Sequence, residues 1–172
     1  MLFDTECSFL EEVLGPIDSS LLEVNRNISE ASIWDVGCLC DKGEYLIGLG
    51  FCIMQRYMFN ALMDVDIKPS DARLLGPRSS VGEPVAELIH SAANYWKHEP
   101  EWHIWLEKLN DRSQKTVDKV LHHRDSAQYP LSDLLADLNG SSDITLIGCL
   151  PYLTQWREAV FRHVEKNIQK GA

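Results

Sequence analysis

The sequence lacks the short signatures by which several large enzyme classes are recognised. It contains no nucleophile elbow, no phosphate-binding loop and no dinucleotide fingerprint. Gly48 and Gly50 fall inside a predicted helix rather than in the strand-to-helix turn that such motifs require. Internal repeats and low-complexity tracts are also absent. The enzyme classes that are built on these motifs are therefore excluded.

Long apolar runs and basic residues are scarce as well. A transmembrane helix needs about 20 apolar residues, more than the stretch YLIGLGFCIM provides, and the N-terminal segment carries acids where a signal peptide is basic. The 16 Lys and Arg residues against 26 Asp and Glu leave a net charge of −10, which repels a long polyanion. We predict a cytoplasmic protein with no targeting segment, no membrane partner and no extended DNA binding. A locally basic pocket can still hold a short RNA.

Disulfides and metal sites are not indicated. The five cysteines form an odd, scattered set that fits a reducing cytoplasm, and the Cys38-Leu-Cys40 pair has no second pair of ligands. His90, Asn94 and His98 stand four residues apart on one helical face, but a zinc site of this kind needs a third ligand and a supporting carboxylate. We predict free structural cysteines and a solvated polar face, with no metal and no cofactor.

Composition and periodicity together predict an all-α protein. A chain of 172 residues, 45% hydrophobic and 24% charged, suits one compact domain that covers residues 1–172. The stretch 44–64 is apolar almost all round, which is typical of a helix buried at the centre of a bundle. We predict a single-domain helical bundle of about five to seven helices around this central helix.

Caps and helix breakers place the remaining elements. Gly15-Pro16 predicts a helix break, and the stretch from Cys38 to Gly43 is predicted to be a turn. The stretch from Ile144 to Leu150 is predicted to be either a short strand or the approach to the last helix. The other predicted helices run from Asp4 to Leu14, from Asp18 or Ser19 onward, briefly from Pro69, from Ser80 or two residues later to His98, from Trp102 to Asn110, from Ser113 to His123, from Leu131 to Leu138 and from Pro151 to Gln169.

The stretch from Ser80 to Trp105 concentrates polar and aromatic chemistry, with three of the five tryptophans and three of the six histidines. Its helix opens either with a capping box at Ser80 or with Pro84 at the first helical position, and Pro100 ends it near His98. At about 100° per residue one face is apolar, and the opposite face carries Glu87, His90, Ser91, Asn94, Lys97 and His98. The last three of these form the first candidate binding cluster.

Two arginines are candidate partners of that cluster. Arg56 shares a face of the central helix with Asn60, and it is predicted either to have a structural role, in a salt bridge or as a cap to a buried helix end, or to point into a pocket. Arg78 lies on a loop before the next helix, where it either faces solvent or joins the site. Together with the cluster these arginines form a set that can recognise a phosphate or a carboxylate.

Two segments resemble known helical proteins. AANYWKHEPEW is similar to a segment of uncharacterised small bacterial helical proteins, and Arg157-Glu-Ala-Val-Phe-Arg-His163 resembles the Arg-x4-6-His motif of the HEPN superfamily. Members of that superfamily are helical bundles of toxin and antitoxin modules, phage defence and RNA processing. The resemblance implies a homodimer that cleaves RNA without a metal at a composite site. It also implies that an arginine stabilises the pentacovalent phosphate while a histidine acts as general base or acid.

Two functional hypotheses follow. The first is a HEPN-like homodimer that acts in metal-independent RNA cleavage or in a toxin–antitoxin or defence module. Its candidate catalytic residues are Arg157, His163 and His98, and its candidate binding residues are Arg56, Arg78, Asn94 and Lys97. The second is a non-catalytic acidic interaction protein, an immunity or antitoxin-like partner, which engages a basic protein through exposed Trp102 and Trp105.

Overall fold

The structure is a computed structural model that describes residues 5–32, 35–102, 109–122, 128–140 and 144–171. Within these ranges the chain is helical, with no β-strand, and the all-α prediction is confirmed. Two single 3-10 turns, Glu99–Glu101 and Ile147–Cys149, accompany the longer helices. The α-helices are α1 (Thr5–Glu30), α2 (Val36–Asn60), α3 (Pro69–Ala72), α4 (Val85–His98), α5 (Asp111–Leu121), α6 (Pro130–Asn139) and α7 (Leu150–Gly171).

Helix α2 is the centre of the bundle, as the apolar stretch 44–64 predicts. It packs against α1, α4 and α6, and α5 then packs against the outer side of α4. The buried apolar side chains of α1, α2, α4, α5, α6 and α7 form one continuous cluster. Trp156 of α7 lies inside it, where its indole Nε1 donates to the carbonyl of Ala72 at 2.9 Å. One core therefore holds the described helices together.

The predicted break at Gly15-Pro16 is wrong, because α1 continues through both residues. A proline inside a helix removes one hydrogen bond and costs about 3 kcal/mol. In α1 that proline faces solvent, whereas Leu14, Leu21 and Val24 continue one buried stripe across it. The burial of a whole amphipathic face outweighs the local penalty, so the two predicted helices are one.

The predicted turn from Cys38 to Gly43 is also wrong, since α2 already begins at Val36. Gly43 is buried where α1 and α2 cross, and a Cβ placed on it would lie 3.6 Å from Val24 Cγ1. The position would accept a methyl group at ordinary van der Waals distance, and the packing of this part of the chain against α1 extends α2 by two turns beyond the predicted start. At its other end α2 stops at Asn60, four residues before the predicted limit.

Helix α4 starts later than either predicted alternative. Ser80 Oγ donates to Asp137 Oδ1 of α6 at 2.5 Å and therefore does not cap α4. Gly82 has a φ of +87°, a left-handed conformation that interrupts any earlier helix. Pro84 takes an extended conformation as the N-cap, and the helix begins at the next residue. The predicted end at His98 is confirmed.

The C-terminal third mostly follows the prediction. Helix α5 begins two residues before Ser113, and α6 ends at Asn139, where it is capped by Gly140, whose φ of +60° is left-handed. The stretch from Ile144 to Leu150 approaches α7 through a 3-10 turn and contains no strand. The helix predicted from Trp102 to Asn110 falls largely on 103–108, outside the described residues, as does Trp105.

Among the described helices none combines the length and the apolar character needed to cross a membrane.

Candidate functional site

A polar cleft lies between α4 and α5. Its larger part is a cavity of about 370 Å³, lined by Arg73, Glu87, His90, Ser91, Asn94, Asp111, Arg112, Lys115, Thr116 and Lys119. A second cavity of about 270 Å³ shares Asn94, Arg112 and Thr116 and adds His98, Trp102, Asn110 and Ser113. We refer to both together as the polar cleft.

Helix periodicity supplies both walls of the polar cleft. On α5, Arg112, Lys115 and Lys119 follow the i, i+3, i+7 spacing of one helical face, while Val117 and Val120 are buried on the opposite side. Asn110 fixes the start of α5, since its Oδ1 accepts from the backbone N–H of Arg112 at 3.1 Å and of Ser113 at 2.9 Å. The α4 wall contains every residue of the polar face predicted from the sequence except Lys97.

Positive charge exceeds negative charge in the polar cleft. Four cationic side chains line it, against the two carboxylates of Glu87 and Asp111. Glu87 is paired twice, with Arg73 Nε at 2.7 Å and with Lys119 Nζ at 2.5 Å. Burial raises the pKa of Glu87, but the hydrogen bonds from Lys119 and Arg73 outweigh it and leave the pKa below its ordinary value. The carboxylate therefore stays charged.

Arg112 and Lys115 are the cations that remain available for a ligand. Neither forms an ion pair with another described residue, and both side chains are exposed. They lie one helical turn apart on the face of α5 that looks onto α4. In a chain with a net charge of −10, this is a locally basic surface of the kind that an anionic group can reach.

A hydrogen-bond network from α2 supports the α4 wall of the polar cleft. The buried Gln55 donates through Nε2 to the His90 carbonyl and to Asn94 Oδ1, both at 3.2 Å, and contacts His90 Nδ1 at 2.9 Å. Lys97 Nζ donates to Gln55 Oε1 at 2.7 Å. Because a cation can only donate, this bond fixes the Gln55 amide with its NH₂ group towards His90 and Asn94.

His90 is held neutral by this arrangement. The pKa of its imidazole is lowered from 6.5 to about 4, chiefly by burial and also by the charges of Arg73, Lys97 and Arg112, against the opposing effect of Glu87. The amide nitrogens of Gln55 and Asn94 lie 2.9 and 3.0 Å from the two ring nitrogens. A protonated ring would place an N–H against each of these donors. The folded protein therefore disfavours the imidazolium form.

An aromatic group closes one end of the polar cleft. The rings of His98 and Trp102 stack with their centroids 6.0 Å apart and an angle of 23° between planes. Tyr95 meets Trp102 edge to face at 6.1 Å. His98 is exposed and its Nδ1 lies 3.3 Å from Glu101 Oε2. Trp102 is half-buried rather than exposed, and its ring packs against the exposed imidazole.

The structure separates the residues of the predicted binding set. Asn94 and His98 share the polar cleft, whereas Lys97 turns towards α2. Arg56 is exposed and lines a mainly apolar groove of about 390 Å³ between α1 and α2, together with Asn60. Arg78 donates through Nη1 to the carbonyl of Gly82 at 2.7 Å, within its own loop. The cations that join Asn94 and His98 come instead from α5.

The two residues of the HEPN-like motif lie on one continuous helix, α7. Arg157 is half-buried, with its guanidinium carbon 5.4 Å from the centroid of the Phe161 ring. His163 is exposed. Six residues of a regular helix separate their directions by about 120°, so the two side chains do not converge within one chain. Neither residue lines the polar cleft.

Sequence reasoning missed Gln55, Arg112 and Lys115. Gln55 lies beside Arg56 in an apolar stretch, where the charged neighbour is the more conspicuous residue. Arg112 and Lys115 are exposed cations at the start of a helix, a common pattern on any protein surface. Their i, i+3 spacing after the cap residue Asn110 was an available signal, but only the packing of α5 on α4 shows which surface they face.

Comparison with protein-family models, with curated proteins and with solved structures finds no match for this chain. The described residues contain no group of three or more His, Cys, Asp or Glu side chains that could hold a metal ion.

Proposed function

We propose that the protein binds a short single-stranded RNA segment in the polar cleft. The main support for the proposal is that two kinds of group lie in the same cleft. Two available cations, Arg112 and Lys115, line it together with the stacked rings of His98 and Trp102. Cations attract the phosphodiester backbone, and an exposed ring accepts a base on its face. A single unpaired strand presents both groups at the same site.

Each wall of the polar cleft has a separate task in this proposal. Arg112 and Lys115 contact phosphate oxygens, while the exposed face of His98 stacks against a base. The Asn94 amide and the Thr116 hydroxyl supply polar contacts for a ribose hydroxyl, the group that distinguishes RNA from DNA. Glu87 repels phosphate less than an unpaired carboxylate would, because Arg73 and Lys119 neutralise it.

The HEPN-like ribonuclease hypothesis concerns the same ligand. Cleavage without a metal requires a base that removes the ribose 2′-OH proton, an acid that protonates the leaving 5′-oxygen, and a cation near the phosphorus. His98 and Arg112 line one cavity and have the side chains for two of these tasks. Arg157 and His163 would need a second copy of the chain to complete a site, and the homodimer stays a prediction.

The test is fluorescence anisotropy with a fluorescein-labelled ten-nucleotide RNA and a DNA of the same sequence. We expect the double variant Arg112→Ala and Lys115→Ala to bind the RNA about tenfold more weakly or worse. With two phosphate contacts, log K should fall with log salt at a slope of about −1.4. His98→Ala should weaken binding by removing the stacking surface.

The matched control removes two exposed cations elsewhere, Arg26→Ala with Lys42→Ala, and changes the net charge equally. It should leave RNA affinity within about twofold. Equal losses in both double variants would show that overall charge alone attracts the RNA and would overturn the assignment. Denaturing gels of the same mixtures decide on catalysis, since products ending in 2′,3′-cyclic phosphate would identify a ribonuclease, and intact RNA would leave binding as the function.

The alternative of an acidic interaction protein stays a prediction, since only one of its two tryptophans, Trp102, lies among the described residues. Trp102 is half-buried against Tyr95 and His98, and Trp105 lies outside the described residues. A hot-spot residue must present a large surface to the partner. The half-buried Trp102 offers only part of such a surface.

A further inference from the structure

A second cavity, of about 530 Å³, lies on the other side of α4 and does not belong to the polar cleft. It opens between α2, α4 and the start of α6. The chief groups that line it are the rings of Tyr45, Tyr95, Trp96 and Tyr129 and the carboxylates of Asp41 and Glu99. We refer to it as the aromatic cavity.

Close packing of α2 on α4 fixes the rings in place. A Cβ on Gly48 would overlap the Trp96 indole, so the glycine provides the space that this side chain occupies. Tyr45, one turn earlier on α2, meets Trp96 edge to face with centroids 5.2 Å apart and an angle of 75° between planes. Tyr45 is nevertheless 62% exposed. Much of its surface is therefore free to contact a ligand.

The charges around the aromatic cavity are mainly negative. Asp41, Glu44 and Glu99 line it, against the single cation Lys97. Lys97 directs its ammonium group to Gln55 Oε1 at 2.7 Å, on the side of α2 that supports the polar cleft. Glu44 is engaged differently, because it accepts from the backbone N–H of Leu131 at 2.7 Å. The exposed Glu99 is left to act on a ligand at the rim.

We propose that the aromatic cavity binds an organic ammonium group, with quaternary ammonium as the preferred form. Aromatic faces attract a cation through their quadrupole, and methylated ammonium loses little hydration when it enters such a lining. Glu99 and Asp41 add a favourable field without needing direct contact. A bare metal ion would find few ligands here, because aromatic rings dominate and the Glu44 oxygens already accept bonds from the start of α6.

A quaternary ammonium group can come from two sources, a free small molecule such as choline or a methylated lysine on a partner protein. Both present a trimethylammonium group of the same size and charge. The inference does not depend on RNA binding, since the aromatic cavity and the polar cleft face opposite sides of α4 and have different linings.

Isothermal titration calorimetry with tetramethylammonium, choline and 3,3-dimethyl-1-butanol tests the proposal. The last compound has the shape of choline without its charge. We expect both cations to bind, and the neutral alcohol to bind at least about fivefold more weakly, since cation–π attraction is lost. Equal affinity for the alcohol, or no binding by either cation, would overturn the proposal.

Variants of Tyr45 locate the binding. Tyr45→Leu should weaken tetramethylammonium binding about fivefold, whereas Tyr45→Phe retains the ring face and should stay within about twofold of the wild type. Because Tyr45 is exposed, neither change disturbs the core. Unaltered affinity in Tyr45→Leu would place the ammonium elsewhere and refute the assignment. Peptides that contain trimethyllysine or unmodified lysine then separate the two sources. Tighter binding of the trimethyllysine peptide than of choline would indicate a methylated partner protein, and tighter binding of choline would indicate a free small molecule.

Discussion

Individual polar residues decide how distant parts of the chain meet. Asp18 is buried in α1 and accepts hydrogen bonds from the backbone N–H of Leu146 at 2.7 Å and of Ile147 at 2.9 Å. Glu44 does the same at the start of α6. The first N–H groups of any helix lack partners within it. A carboxylate from another helix satisfies them and so fixes where the following helix begins.

His90 is the residue of the polar cleft whose protonation affects the stability of the fold. Its pKa is lowered to about 4, mainly by burial. Between that value and 6.5 the unfolded chain takes up a proton that the folded chain does not. Stability is therefore present above about pH 6.5 and is lost as pH falls towards 4. The loss is roughly 1–2 kcal/mol, less than the full shift implies, because the ring is partly exposed and screened.

The free energy of unfolding should fall between pH 7 and pH 4.5. We predict that His90→Gln makes this fall smaller by about 1–2 kcal/mol. Urea denaturation at the two pH values measures the free energy of unfolding of each variant. His163→Gln is the matched control, because His163 is exposed on α7 and its replacement should leave the pH dependence unchanged. A His90→Gln profile parallel to that of the wild type would contradict the role of His90.

At the scale of elements, the contact between α2 and α4 depends on one small residue. Gly48 is buried and faces the Trp96 indole with no space for a Cβ. Gly43, in the same helix, has ordinary van der Waals space, since its Cβ would lie 3.6 Å from Val24 Cγ1. The two glycines therefore offer a comparison in which helix propensity is the same and only packing differs.

We predict that Gly48→Ala lowers the free energy of unfolding by about 1–3 kcal/mol, because the indole must move. Gly43→Ala should raise it by about 0.5–1 kcal/mol, because alanine restricts the unfolded chain and favours the helix. Urea denaturation gives both values, and tryptophan fluorescence reports the displacement of Trp96. Equal stability of the two variants would show that the α2–α4 contact yields to the extra methyl group.

At the scale of the whole molecule, one apolar core predicts one folding unit. Buried side chains from both ends of the chain, such as Leu14 and Trp156, belong to the same cluster. Loss of either end should therefore unfold the other.

Differential scanning calorimetry should show a single transition with equal calorimetric and van't Hoff enthalpies. The enthalpy should be about 120 kcal/mol near 60 °C, from the usual value per residue. Two resolved transitions would contradict the prediction that residues 1–172 form one domain.

Helix α4 illustrates what the sequence determined without the fold. Its end at His98 is local, because Pro100 has no backbone N–H to continue the α-helical hydrogen bonds, and the chain passes into the 3-10 turn Glu99–Glu101 with Glu99 still in the αR region. Its polar face is local as well, because side chains three and four residues apart share one side of any helix. Helical class, the central position of the apolar stretch and the cluster of Asn94 with His98 follow from such local rules.

Only the tertiary structure decided which faces meet. At the polar end of α4, Asn94 and His98 line the polar cleft with Arg112 of α5, whereas Lys97 lies outside it and, like Asn94, bonds to Gln55 of α2. Likewise α1 continues through Pro16, because the free energy gained by burying one whole face of the helix exceeds the cost of the hydrogen bond that the proline removes. Local patterns determine which residues share a surface, and packing between helices determines what lies opposite that surface.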